Sequence, residues 1–568
     1  MLNVDRLEAY VNLVKVSVNV SSALLTLPDT SKTDHLPQFL SSISRNPTVS
    51  MAEHVQADHA IHGCFSKVDV GRLKGFVSTT TIFVFFFFLL AIAALLNWMN
   101  FNSNYNLHPS IVFLDMCIGR GTPPSPPPLS SEIRHERVEF PLNCSNLVNH
   151  TTVFEPKESS TNKTCPDYFR WIHQDLKQWK SSGITKDMIE RGKPIADFRL
   201  VIVNGEAYVE RYIRSFQTRD LFTIWGILQL LRLYPGKVPD LDLLFYCGDN
   251  TVIMKSDYKG RYAALAPPVF HYCGEEAALD IVFPDWSFWG WVEVNIKPWE
   301  EQLRAIKKER ERIKWEKREP YAYWKGNPTS PDRGDLLNCN VSDKHDWNAR
   351  LYVQDWAKEI QEGFKHSKLE DQCTHRYIRS PFSSHSYGKG RTWSVSEKYI
   401  LACDSMTLLV NPKYYDFFSR SMMPMQHFWP IRNENKCRDL KFAVEWGNNH
   451  TQKAEAIGKA GSKFIEEALT MQNVYDYMFH LLNEYSKLLK FKPTIPPNAR
   501  RLCSETTEQG LLKEFMVQSM VKSPSDKLPC ALPPPFKPQA IKASLKAKDK
   551  IARQVETWET EYWKKLKA

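Results

Sequence analysis

The chain is weakly patterned and polar over residues 1–75. An uncharged apolar run, FVSTTTIFVFFFFLLAIAALL, follows over 76–96, and a Pro-rich polar stretch fills 97–164. Regular hydrophobic periods begin at Cys165. In CPDYFRWIHQDLKQW, Tyr168, Ile172, Leu176 and Trp179 recur at helical spacing. GITKDMIERGK continues as helix. ADFRLVIVNGEAYVE alternates, breaks at Asn-Gly and alternates again, which predicts a hairpin. TRDLFTIWGILQLLRLYPG is an apolar helix stopped by Pro-Gly; LDLLFYCGDN, PVFHYCG and LDIVFPDWSF are short buried strands; WEEQLRAIKKERERIKWEKRE is a charged, solvated helix.

A second alternating block runs from AYWKGN through WNARLYVQDWAKEI and SVSEKYILACD to the strand SMTLLVN. Two amphipathic helices close it, QKAEAIGKAGSKFIEEAL and NVYDYMFHLLNEYSKLL. Two successive strand–helix blocks predict two α/β lobes with parallel sheets and a ligand cleft at the strands' carboxyl ends. The expected lobes are 165–318 and 319–490. The tail, 491–568, loses the rhythm apart from a terminal helix in IARQVETWETEYWKKL.

The run at 76–96 matches the roughly 20 apolar residues that cross a bilayer. Arg72 and Lys74 precede it, and Trp98 and several Asn follow, so the expected topology leaves 1–75 in the cytosol, with 97–164 a luminal stem. Asn143, Asn149, Asn162, Asn340 and Asn449 open Asn-x-Ser/Thr triplets, all beyond the apolar run. Eleven of the 12 cysteines also lie beyond it, none in a CxxC pair. This favours scattered disulfides, Cys165 among their partners, over a metal site. The net charge of +10, from 74 basic and 64 acidic residues, lies largely in the tail and carries no nucleic-acid motif.

There is no Walker loop, no GxGxxG, no GxSxG and no Asp-x-Asp pair to hold a divalent ion. Polar residues cluster instead at strand ends: Asp249; Asp285, Trp286, Ser287 and Trp289; Lys325, Gly326, Thr329, Ser330 and Arg333; Ser394 and Ser396 at a helix start. A nucleotide-sugar pyrophosphate is bound by such groups: cations, hydroxyls, a helix amino terminus and a glycine that lets the backbone approach. Each also reads singly as a cap or a turn. By spacing alone Asp175 reads as a surface acid at the edge of an apolar stripe.

CPDYFRWIHQDLKQW, FPDWSFWGW, AYWKGNPTSPDR and TWSVSEKYILACDS, in that order, resemble the Rumi-like protein O-glucosyltransferases, the capsule-associated-protein type of glycosyltransferase, in their plant membrane-anchored branch. The resemblance spans about Cys165 to Leu489. It implies a GT-B-like α/β fold, two Rossmann-like lobes facing a cleft, here preceded by one transmembrane helix. It implies transfer of glucose or xylose from UDP-glucose or UDP-xylose to a protein or glycan hydroxyl, with inversion, without metal or cofactor, in the Golgi or endoplasmic reticulum lumen. Asp175 matches the family's catalytic base and Arg219 its donor-binding arginine. Asp285, Trp286, Lys325, Gly326, Thr329, Ser330, Arg333, Ser394 and Ser396 fall on the donor site. The chain ends in KKLKA, without the retention tetrapeptide of the animal luminal enzymes, so the apolar anchor takes that role. Pro381 and the serines around it interrupt a strand that runs on in relatives. That leaves a non-catalytic sugar- or partner-binding protein as the rival reading, and a polysaccharide-directed transferase as a third.

Overall fold

The computed structural model describes residues 163–328, 331–379, 394–410, 413–432, 434–502 and 508–567. The segments 1–75, 76–96 and nearly all of 97–164 lie outside them. Among the described residues no helix is long and apolar enough to cross a membrane.

The folded part opens on a broken helix. A 3-10 turn at Asp167–Arg170 leads into α1 (Trp171–Asp175), and a second 3-10 turn covers Lys177–Trp179. The expected stripe is all core: Tyr168 and Leu176 are 1% exposed, Ile172 and Trp179 0%. Burying each such side chain contributes about 1.5–3 kcal/mol, which fixes the face α1 presents. Helix α2 (Lys186–Gly192) follows, then β1 (Phe198–Val203) and β2 (Glu206–Arg211). These two strands form the expected hairpin, closed by Val203↔Glu206 around Asn204 and Gly205, whose φ angles of 53° and 78° suit that pair of residues. Helix α3 (Arg219–Leu233) leads to β3 (Leu241–Phe245), β4 (Val269–His271) and β5 (Ile281–Val282), and α4 (Trp299–Arg312) leaves the lobe.

The charged helix was expected to run through Glu319, but it stops at Arg312. Trp315 and Arg318 are drawn instead into the second lobe, where the Arg318 guanidinium donates to the Cys403 carbonyl oxygen at 2.8 Å. There β6 (Glu319–Gly326), α5 (Pro331–Leu337), β7 (Ala349–Val353), α6 (Trp356–Gln361), β8 (His375–Arg379), α7 (Glu397–Leu401), β9 (Met406–Val410) and β10 (Trp429–Ile431) alternate, followed by α8 (Lys436–Asn449) and α9 (Thr451–Ala468). The second sheet, ordered β10-β9-β8-β6-β7, is parallel throughout, as the alternation predicts. Strand β8 holds its central place up to Arg379; the interrupted stretch at 380–393 lies outside the described residues.

The first sheet departs from the expectation of parallel strands. Beyond the expected hairpin with β2, β1 also pairs antiparallel with β3, and only β3, β4 and β5 run parallel. The tail also differs. Helix α10 (Met471–Ser486) packs on the first lobe, where Tyr477 and Tyr485 are fully buried, so the chain returns there before the boundary expected at 490. Strand β11 (Arg500–Arg501) extends the first sheet, α11 (Gly510–Gln518) follows, and α12 (Pro538–Lys567) is far longer than the terminal helix expected from residue 551. Disulfides join Cys165–Cys530, Cys339–Cys437 and Cys373–Cys403, while Cys247 and Cys273 are buried thiols.

Candidate active site

A cavity of about 1460 Å³ lies between the lobes. Its walls come from α1 and the turn after it, from 255–280 of the first lobe, from the carboxyl ends of β9 and β10, and from α12. Such a seam is where open α/β sheets bind ligands.

Asp175 ends α1 and edges this cavity. It is not a surface acid: its side chain is 5% exposed. Its two carboxylate oxygens accept from the two terminal nitrogens of Arg420, each at 2.6 Å. Burial pushes the Asp175 carboxyl above the usual range; the Arg420 and Lys255 charges pull it part of the way back. Arg420 comes from a short 3-10 turn, Ser419–Ser421, between β9 and β10. Asp416 holds that turn by accepting from the Phe418 and Ser419 amides at 3.2 and 2.9 Å. Lys413 and Arg432, just beyond the ends of β9 and β10, line the same cavity. Lys413 pairs with Glu275 at 3.1 Å, and Arg432 with Asp439 at 2.9 Å and with Glu559 of α12.

The residues expected at the donor site fall elsewhere. Arg219 is buried at the start of α3. It donates to Asp249 at 2.8 Å and to the Cys247 carbonyl oxygen at 2.9 Å, and lies 4.4 Å from the Trp286 ring. Asp285 accepts from Lys398 of α7 at 2.9 Å and from the Ser287 amide at 2.9 Å. Trp286 is fully buried against Tyr272 and Trp291. Lys325, on β6, reaches Glu359 at 3.2 Å and the His366 carbonyl oxygen, and a Cβ on Gly326 would lie 2.6 Å from the Trp324 ring. The Ser394 and Ser396 hydroxyls meet at 2.9 Å before α7. None of these lines the cavity beside Asp175. Thr329 and Ser330 lie outside the described residues, and Arg333 is placed only as a backbone position in α5.

Sequence reading passed over Arg420, Lys413 and Arg432. Arg420 stands 245 residues from its partner, and no local pattern joins the two. Of the glycosylation acceptors, Asn143, Asn149 and Asn162 lie outside the described residues, and Asn449 is exposed at the end of α8. The Asn340 side chain is engaged: its nitrogen donates to the Leu351 carbonyl oxygen at 2.9 Å and its oxygen accepts from the Leu351 amide at 3.1 Å. Among the described residues one cluster has ligand-like spacing, Cys165, His480 and Cys530, but its two thiols are already joined as a disulfide.

The model of glycosyl transferase family 90 matches residues 160–559. The chain is 27% identical over 344 residues to the O-glucosyltransferase rumi homolog of Anopheles gambiae, covering 59% of this chain and 81% of the other. It is 23% identical over 360 residues to O-glucosyltransferase rumi of Drosophila melanogaster, covering 60% and 80%. With human protein O-glucosyltransferase 1 it shares 22% identity over 352 residues, covering 60% and 85%. A solved structure of Anabaena Alr3699/HepE in complex with UDP is 10% identical and superposes with a TM-score of 0.23, over 34% of this chain and 56% of that one.

Proposed function

The chain belongs to glycosyl transferase family 90 and is a glycosyltransferase, and from that premise we propose that it moves glucose from UDP-glucose to a hydroxyl of a protein or glycan acceptor, with inversion and Asp175 as general base. The observation that carries this reading is a buried carboxylate at the wall of a large interlobe cavity, on the residue to which the family resemblance assigns the base. Asp175 takes the acceptor's hydroxyl proton as that oxygen attacks the anomeric carbon from the face opposite UDP. The new C–O bond forms as the bond to the diphosphate breaks, and UDP leaves with the electron pair. Lys413 and Arg432, beyond the carboxyl ends of β9 and β10, are cations at the cavity wall that a diphosphate can draw from their carboxylate partners Glu275, Asp439 and Glu559. Fixed cations of this kind supply the countercharge without a metal, and UDP-xylose is the alternative donor. The GT-B arrangement, the anchor at 76–96 and a luminal site in the Golgi or endoplasmic reticulum belong to the same proposal.

The test is UDP release by the purified protein with UDP-glucose and UDP-xylose, with and without chelator. Asp175→Asn is expected to lower turnover by about 10²–10⁴-fold while donor still raises the unfolding temperature. Near-normal turnover in that variant would remove Asp175 as base. One observation favours a second reading, a non-catalytic binding protein: the described residues of the expected donor set do not line the Asp175 cavity. Donor-dependent stabilisation without UDP release from the wild type would select it.

A further inference from the structure

Asp175 is gripped by Arg420, a residue outside the expected donor set. The Arg420 guanidinium binds both carboxylate oxygens at 2.6 Å, and is itself fixed on several sides. It lies 4.5 Å from the Trp171 ring and 4.2 Å from the Tyr415 ring, at cation–π distance from both. Asp416 caps the turn that carries it, and Lys548 of α12 donates to its carbonyl oxygen at 2.5 Å. The two side chains are 9% and 5% exposed, and both edge the cavity.

We propose that Arg420 is the positioning residue for the base: its planar fork fixes the Asp175 carboxylate in one orientation at the cavity wall, and its charge keeps that carboxylate ionised in a desolvated place. The proposal rests on Asp175 being the base. A carboxylate has about four lone-pair sites, and a bidentate arginine takes one on each oxygen, so the carboxylate can still accept an acceptor hydroxyl. A base must be deprotonated to work, and burial favours the protonated form, so a paired cation widens the pH range in which the base is competent.

The other groups facing the pair do not replace Arg420. Lys255, the second cation, bonds to the Glu276 carbonyl oxygen. Tyr415 is pushed up to about 12 by burial, and Tyr477 of α10 further still, so both are neutral through the working range. Burial and the Arg420 charge bring Lys548 down to about 8, which leaves it charged on the acid side. Burial raises both Asp416 and Glu397 of α7, which also lines the cavity, and both stay in place in every variant below.

The experiment follows UDP release from UDP-glucose by the full chain, with water as the acceptor, from acid to alkaline pH. Arg420→Gln is expected to lower the plateau. On the acid side it should also lose about tenfold more activity than wild type, relative to its own plateau. Arg420→Lys, which keeps a charge but cannot grip both oxygens, should keep the acid limb near wild type with a lowered plateau. An Arg420→Gln profile that superimposes on wild type after scaling reduces Arg420 to a packing residue and overturns the proposal. If thermal melting shows Arg420→Gln to be unfolded, a wild-type plateau in Arg420→Lys overturns it instead. Asp175→Asn separates the two levels. Turnover in that variant sinks the base itself; an inactive Asp175→Asn beside an unshifted Arg420→Gln sinks only the role of Arg420.

Discussion

Among the described residues two buried ion pairs cross between the lobes, and they are built differently. Lys398 of α7 meets Asp285 of the first lobe at 2.9 Å, with side chains 2% and 5% exposed. Lys398 also donates to the Ser287 hydroxyl at 2.8 Å and the Val395 carbonyl oxygen at 3.3 Å, and Asp285 also accepts from Ser287. Every charge there has several partners, and neither residue lines the cavity. The Asp175 carboxylate is hydrogen-bonded by one cation, Arg420, sits at the cavity wall, and keeps lone pairs in reserve. A multiply bonded pair away from the cavity suits holding two lobes together; a singly partnered acid at the wall suits taking a proton. Burial alone does not separate the two, because both are buried.

The largest expected effect is that of Asp175→Asn, a loss of about 10²–10⁴ in turnover. Lys398→Met should act on stability instead. Leaving Asp285 buried without its cation costs about 3–5 kcal/mol, read as a lowered midpoint in thermal or denaturant unfolding. A Lys398→Met protein with wild-type stability would show that Asp285 does not depend on the pair and would reopen its candidacy for donor binding. Removing the Cys165–Cys530 bridge by the double serine substitution should cost about 2–5 kcal/mol, since it frees a loop spanning 365 residues. Fluorescence of the buried tryptophans around α1 would follow it. The smallest effect belongs to Lys548. Folding lowers its proton affinity to about 8, so its charge weighs against the folded state below that pH, and the penalty fades as pH rises toward the unfolded value. Lys548→Met should therefore gain on wild type most at neutral pH and least in alkali; a difference in midpoint that does not change with pH would contradict this.

Local patterns carried much of the fold. The Asn-Gly hairpin, the helix over 219–233 and the alternation of the second lobe were all legible, because turn chemistry and hydrophobic period are properties of neighbouring residues. The antiparallel pairing of β1 with β3 was not, since a hairpin's strand can pair on its free edge in either direction. The return of α10 and α12 was not legible either: amphipathic helices show which face they bury, not against which lobe. The candidate base could be singled out only through the family resemblance; its spacing alone pointed to the surface.

By itself the sequence determined the apolar run at 76–96, the start of the folded part at Cys165, the two alternating blocks, the packing stripe under α1 and the family. Only the tertiary structure decided that Asp175 is buried at a cavity wall, that Arg420 holds it, and that Asp285 and Arg219 spend their charges on Lys398 and Asp249. The physical reason is reach. Turns and helical stripes are set by residues a few positions apart, whereas the charge partners of a carboxylate are chosen after the lobes meet, from any part of the chain.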